Sequence, residues 1–309
     1  MKEGLVLKAL GQTYNVLVDR EILTCTLKGN MRLKDVTTTN PVVVGDRVHI
    51  MQAEEGGDYT IATVEPRKNY IIRNSKKLSK QFQIIAANMD QVFILITLIH
   101  PKTHNTFVDR ILTTAEAYGI EAHLIFNKRD LYNEEQMEEL LERLAVYDSI
   151  GYSCQVVSML DDKYVNKLKK LCDGKVTLLC GMSGTGKSTM INQMVPGLNR
   201  KTGEISETHL KGKHLTTFSE MIPLPGGGFI IDTPGIQEFG IADINKYDLS
   251  QYFREMNHYR ANCKFNSCMH INEPGCAVIK AVEDGDIALS RYESYLSIYH
   301  NEASEERRY

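Results

Sequence analysis

Apolar positions change their rhythm along the chain. Up to about residue 66, short β-branched runs (14–18, 22–27, 47–51 and 59–64) are cut by polar or glycine breaks at Lys28-Gly29-Asn30, Gly45-Asp46 and 54–58. Five or so strands in this length, with no helical stretch, favour an OB-fold over another small barrel or sheet. From 67 to 83 the chain is polar and basic (Arg67, Lys68, Arg73, Lys76, Lys77, Lys80), as in a linker or an exposed crossing segment. An α/β pattern follows. Residues 91–97 form a continuous apolar run of the kind buried in parallel sheets. A helix is expected over 106–118, a strand over 122–126, and an acidic helix capped by Asn133 over 133–147. A strand over 153–157, a helix over 163–172, and strands over 175–180 and 228–231 complete a doubly wound sheet. Beyond Gly240 the strands stop. Residues 246–253 and 277–299 read as helices, and 302–309 as a charged, frayed tail. The expected units are 1–66, 67–242 and 243–309.

Hydrophobic content of 42% and charged content of 24% suit a core-forming protein. No apolar run approaches the roughly 18 residues that span a bilayer, and the first ten residues lack a secretory pattern. The expectation is a cytoplasmic protein, monomeric and without a membrane partner. The net charge of −3 does not announce nucleic acid, but residues 1–80 hold 13 Lys and Arg against 9 Asp and Glu. That local excess is compatible with an RNA-binding barrel.

Two motifs carry the chemistry. Gly181-Met182-Ser183-Gly184-Thr185-Gly186-Lys187-Ser188, followed by Thr189, fits the phosphate-loop pattern and has a strand before it and a helix after it. Its glycines let backbone N–H groups close around phosphates, Lys187 supplies a charge to the β- and γ-phosphates, and Ser188 offers a hydroxyl to Mg²⁺. Asn127-Lys128-Arg129-Asp130 ends the 122–126 strand. An ionised Asp only accepts hydrogen bonds, so Asp130 suits the two N–H donors of guanine and rejects adenine. Asn127 can buttress the base and the phosphate loop, while the Lys128 stem covers the base face. Four such residues could be a surface turn, but with the phosphate loop they specify the two halves of one guanine nucleotide. The base-reading motif comes first, the reverse of ordinary GTPases, which makes this a circularly permuted P-loop GTPase domain.

Asp232-Thr233-Pro234-Gly235 follows an apolar strand. Asp232 would reach Mg²⁺ through water, and the Gly235 N–H would sense the γ-phosphate. In the polar stretch before it, Thr216 rather than Thr217 is the expected Mg²⁺ ligand when GTP is bound. Ser158 suits the remaining base-contact loop. The position where Ras-like enzymes place a water-orienting Gln is Ile236, so His214 is the candidate for that task, against the alternative of a surface histidine. Near the C-terminus, Cys263, Cys268, His270 and Cys276 lie within fourteen residues. Three thiols and an imidazole with no open position favour one structural Zn²⁺ in a mostly helical zinc-binding domain, with His258 as a competing ligand.

Together these features resemble the circularly permuted, ribosome small-subunit-dependent GTPase family RsgA (YjeQ, YloQ), over nearly the whole chain. The resemblance rests on the barrel, the permuted order, Lys213-His214-Leu215-Thr216-Thr217, Asp232-Thr233-Pro234-Gly235, the Cys₃His spacing and Arg291-Tyr292-Glu293-Ser294-Tyr295. It implies binding to the small (30S) ribosomal subunit and its rRNA during late maturation, with GTP hydrolysis stimulated by that subunit. It also implies that the switch histidine, here His214, stands in for the missing Gln. Leu215 departs from the family's usual Thr.

Overall fold

The computed structural model describes residues 1–27, 40–52, 57–73, 83–198, 200, 219–233 and 244–306, with side chains to residue 300. Five strands build the N-terminal barrel: β1 (Lys2–Leu10), β2 (Thr13–Val18), β3 (Glu21–Leu27), β4 (Arg47–Gln52) and β5 (Tyr59–Val64). They pair in the order β1-β2-β3-β5-β4, and β4 returns to β1 and closes the cylinder. Inward positions of alternating strands fill it with Val6, Val16, Val18, Cys25, Val48, Ile50 and Ile61. The basic segment after β5 has a structural task. Arg67 forks onto the buried Asp46 carboxylate at 2.7 and 2.8 Å, and that carboxylate also accepts from the Val43 N–H at 2.8 Å. The expected linker over 67–83 is partly strand, because β6 (Tyr70–Arg73) pairs with β7 (Gln83–Ala87).

The second unit is the expected α/β sheet. β8 (Gln91–Ile96), β9 (Glu121–Phe126), β10 (Ser153–Val156), β11 (Val176–Gly181) and β13 (Phe229–Asp232) run parallel in the order β10-β9-β8-β11-β13. β8 is buried on both faces: Val92, Ile94 and Ile96 join one core, Phe93 and Leu95 the other. Helices α1 (Asn105–Ala117), α2 (Glu134–Ser149), α3 (Asp162–Cys172) and α4 (Lys187–Met194) connect or follow these strands. Asn133 caps α2 through a reciprocal capping box with Gln136.

The sequence reading did not anticipate β12 (Glu220–Pro223), antiparallel to β13, nor its pairing with β1. That joint fuses barrel and α/β sheet into one eleven-stranded sheet. The C-terminal unit holds a 3-10 segment over Lys246–Tyr252, α5 (Arg254–Tyr259), α6 (Ala277–Glu283) and α7 (Leu289–Glu306). The single helix expected over 277–299 is broken after Glu283, and Gly285 takes φ +83° in the turn between α6 and α7. No helix among the described residues is long and apolar enough to cross a membrane.

Candidate functional site

The carboxyl ends of β8, β9, β11 and β13 gather the chemistry at one edge of the sheet, where open α/β folds bind ligands. β11 runs into the phosphate loop and α4 starts at Lys187. Gly186, at φ +104°, tolerates no side chain, since a Cβ there would strike the Asn127 amide. Within the loop, the Thr185 hydroxyl donates to Met182 O at 2.9 Å. Lys187 Nζ donates to Gly181 O and Met182 O at 2.6 and 2.7 Å. Burial pushes the Lys187 ammonium below its usual pKa, opposed by Cys180 and Asp232. Ser183 and Gly184 are exposed, whereas Ser188 and Thr189 are half-buried on the first turn of α4.

The two motifs meet. Asn127 is buried, and its Nδ2 donates to Thr185 O at 2.9 Å across 58 residues of sequence. Its Oδ1 accepts from the Met159 N–H at 3.3 Å, which brings in the loop after β10 that carries the buried Ser158. Asn127 therefore pins three loops at one point. Lys128 takes a left-handed conformation, φ +66°, and Nζ donates to the carbonyl of His100 in the loop after β8. Burial lowers its pKa while Asp130 opposes the shift. Asp130 is exposed at the rim in a 3-10 turn over Arg129–Leu131.

Sequence reasoning missed Tyr132, Met159 and Arg200. Tyr132 Oη donates to Asn127 O and accepts from the Leu98 N–H at 3.1 Å, locking the base-reading turn to β8. Met159 contributes only backbone, which leaves no trace in side-chain patterns. Arg200 belongs to a stretch read simply as polar.

Asp232, at the end of β13, is 6% exposed and paired with Arg200. Burial pushes its carboxyl up, and Arg200 and Lys187 pull it back. A buried oxygen donor beside the phosphate loop fits the oxygen preference of Mg²⁺, while Arg200 already holds one of its oxygens. His214, Thr216 and Gly235 lie outside the described residues.

The metal group is brought together as expected. Cys263, Cys268, His270 and Cys276 place one donor atom each within 4.8 Å of all the others. Cys263 Sγ and Cys276 Sγ are 3.9 Å apart, and His270 Nδ1 lies 3.6 and 3.3 Å from them. A tetrahedral zinc requires about 3.8 Å between thiolates and about 3.5 Å from thiolate to imidazole. The donor set could therefore hold a zinc ion. His258 is not in the group and packs edge-on against Tyr259. The loop is braced from outside. Glu273 accepts from the N–H groups of Met269, Ile271 and Asn272, and Tyr292 and Tyr295 of α7 donate to His270 O and Met269 O at 2.8 and 2.7 Å.

Family models match in chain order, the RsgA N-terminal domain over residues 3–60 and the RsgA GTPase over 64–242. Among curated proteins, the small ribosomal subunit biogenesis GTPase RsgA of Bacteroides fragilis is 49% identical over 308 residues, covering 99% of this chain and 98% of its own. The protein of the same name from Flavobacterium johnsoniae is 47% identical over 298 residues, 96% of this chain and 92% of its own. Among solved structures, YjeQ from Thermotoga maritima superposes with a TM-score of 0.78 at 31% identity, over 97% of this chain and 98% of that one. YloQ, described as a circularly permuted GTPase, gives 0.75 at 26% identity, over 99% and 96%. With base-reading strand ahead of phosphate-loop strand in sequence and the two loops bonded in space, the chain belongs to the RsgA GTPase family.

Proposed function

We propose that this protein binds the small ribosomal subunit and assists its late maturation, hydrolysing GTP to GDP and phosphate at a rate the subunit stimulates. The observation that carries the nucleotide half is the Asn127–Thr185 bond, which makes one site of two motifs in permuted order. The full-length similarity to small-subunit biogenesis GTPases carries the other half. In this reading, Asp130 accepts from guanine N1–H and N2–H, Asn127 and Ser158 hold the loops around the base, and the Lys128 stem covers its face. Backbone N–H groups from Gly181 to Thr189 cradle the phosphates, and Lys187 neutralises charge on the β- and γ-oxygens. Ser188 and Thr216 would hold Mg²⁺ directly and Asp232 through water. That ion offsets negative charge on the phosphates when bound. Gly235 N–H contacts the γ-phosphate, and His214 orients the attacking water, a task the Ile236 side chain cannot perform.

The barrel, at residues 1–66, is the rRNA-binding unit of a cytoplasmic monomer, and the local excess of Lys and Arg lies in the segment that follows it (Arg67, Lys68, Arg73, Lys76, Lys77, Lys80). The units over 67–242 and 243–309 hold nucleotide and zinc. The deciding experiment measures turnover of the full chain with and without purified small subunits, ATP serving as control. Stimulation of GTP but not ATP hydrolysis is expected. A rate indifferent to subunits overturns the ribosomal role, and equal turnover of ATP overturns guanine selection.

One structural zinc per chain is the second part of this reading. In small zinc domains the metal contributes about 10 kcal/mol to folding. Here the cluster of Leu249, Phe253, Val278, Tyr295 and Ile298 supplies packing of its own. Cys268→Ser is therefore expected to abolish stoichiometric zinc and to melt the C-terminal unit early, leaving the barrel and sheet folded. Elemental analysis and a thermal melt check this. Native melting of zinc-free wild-type protein would contradict it.

A further inference from the structure

One charged row crosses three strands. Lys8 of β1 faces Glu220 of β12, and Glu220 faces Asp232 of β13 in register. Residues directly opposite in antiparallel strands share a face, so the three side chains stand side by side. Arg200 straddles the last two: Nη2 lies 2.6 Å from Glu220 Oε2, and Nη1 is ion-paired with Asp232 Oδ2. Lys8 Nζ reaches the other Glu220 oxygen at 3.5 Å. The Arg200 backbone is clamped from both sides by one side chain of α4. Its N–H donates to Asn192 Oδ1 and its carbonyl accepts from Asn192 Nδ2, each at 2.9 Å. The guanidinium is thus held by the same helix that begins with Lys187 and Ser188.

We propose that Arg200 is a positioning residue that competes with magnesium for Asp232. This rests on the reading of Asp232 as the carboxylate that meets Mg²⁺ through water. Arg200 holds Oδ2 of a carboxylate that is 6% exposed, so a hydrated divalent cation approaching that carboxylate meets the guanidinium charge at close range. Without nucleotide, Arg200 keeps the buried carboxylate paired and oriented. When Mg²⁺ and nucleotide enter, Arg200 gives up Asp232 and keeps Glu220, which holds a second oxygen ready 2.6 Å from Nη2. The competition raises the Mg²⁺ concentration at which nucleotide binds.

The test titrates Mg²⁺ against binding of a non-hydrolysable GTP analogue with a fluorescent ribose label, using full-length wild type, Arg200→Ala, Arg200→Lys and Asp232→Asn. Arg200→Ala is expected to lower the Mg²⁺ midpoint about tenfold, at the low end of what close charge pairs contribute. Arg200→Lys, which keeps the charge but loses the fork, falls between. A merely structural role gives the opposite sign, since a damaged site binds nucleotide less well and needs more Mg²⁺. An unshifted or raised midpoint in both arginine variants, with a wild type that depends on Mg²⁺ and on Asp232, overturns the competition alone. A wild type indifferent to Mg²⁺, or an unaltered midpoint in Asp232→Asn, overturns it together with the reading of Asp232. Should Arg200→Ala fail to fold, the midpoint of Arg200→Lys decides.

Discussion

Lys187→Ala is expected to lower kcat for GTP hydrolysis by about 10³-fold, roughly 4 kcal/mol of lost transition-state stabilisation. The side chain now bonds the loop carbonyls of Gly181 and Met182, so its ammonium already sits within the cradle that the phosphates are to fill. Burial makes that charge costly, and a polyanion bound in the cradle would offset the cost. Charge on the phosphate oxygens grows as the γ-phosphoryl leaves, so the loss falls on kcat more than on binding. The fold barely depends on this ammonium, and the melting temperature is expected to stay within about 3 °C of wild type. Single-turnover kinetics at saturating GTP check the claim, and a wild-type kcat would remove Lys187 from the mechanism.

Arg291→Met should destabilise the packing of the C-terminal unit by about 3–5 kcal/mol, because it leaves two buried carboxylates without their cation. Arg291 of α7 is fully buried, paired through Nε with Glu255 of α5 at 2.7 Å and through Nη1 with Asp109 of α1. Burial alone would lower the pKa of the guanidinium. Asp109 and Glu255 outweigh it and hold the charge. Asp109 is in turn pushed up by burial and steadied by Arg291 and by the Tyr147 hydroxyl at 2.9 Å. The triad is thus a bolt between α7 and α1, with Arg254 on Glu116 as a more exposed companion at 2.8 Å. Adding Asp109→Asn and Glu255→Gln to Arg291→Met should recover part of the loss, since uncharged side chains no longer need a cation. Denaturant unfolding of the zinc-loaded protein tests both statements. An Arg291→Met variant as stable as wild type would show that the bolt holds nothing.

How much was legible follows from which atoms do the work. The sheet strands were plain because burial on both faces writes a continuous apolar run, as in 91–97. The phosphate loop, the base-reading motif and the Cys₃His group were plain because side chains of fixed chemistry stand at short spacing. β1 and β12 were not, because their pairing joins residues 212 positions apart and no local period records such a partner. The break between α6 and α7 was missed because both flanks share helical periodicity and one glycine decides between them. Arg291 was quoted only as part of a family pattern. Its charge, in a segment that looks amphipathic, gives no hint that it lies at the bottom of an interface. Met159 acts through its N–H, which any residue would supply.

The Asn127–Thr185 bond also fixes an order of events during synthesis. A chain leaves the ribosome N-terminus first, and domains tend to form as they emerge. The barrel comes out first, then β8, β9 and β10 with the base-reading turn. The phosphate loop is made after them, so Asn127 waits for Thr185, whereas in an unpermuted GTPase the phosphate loop waits for the Asn. The nascent protein therefore completes the Asn127–Asp130 turn before its phosphate loop has been made. The final strand of the sheet, β13, follows β12, which seals the barrel to it. Nucleotide thus finds its complete site only after the last strand of the sheet, β13, has joined β11.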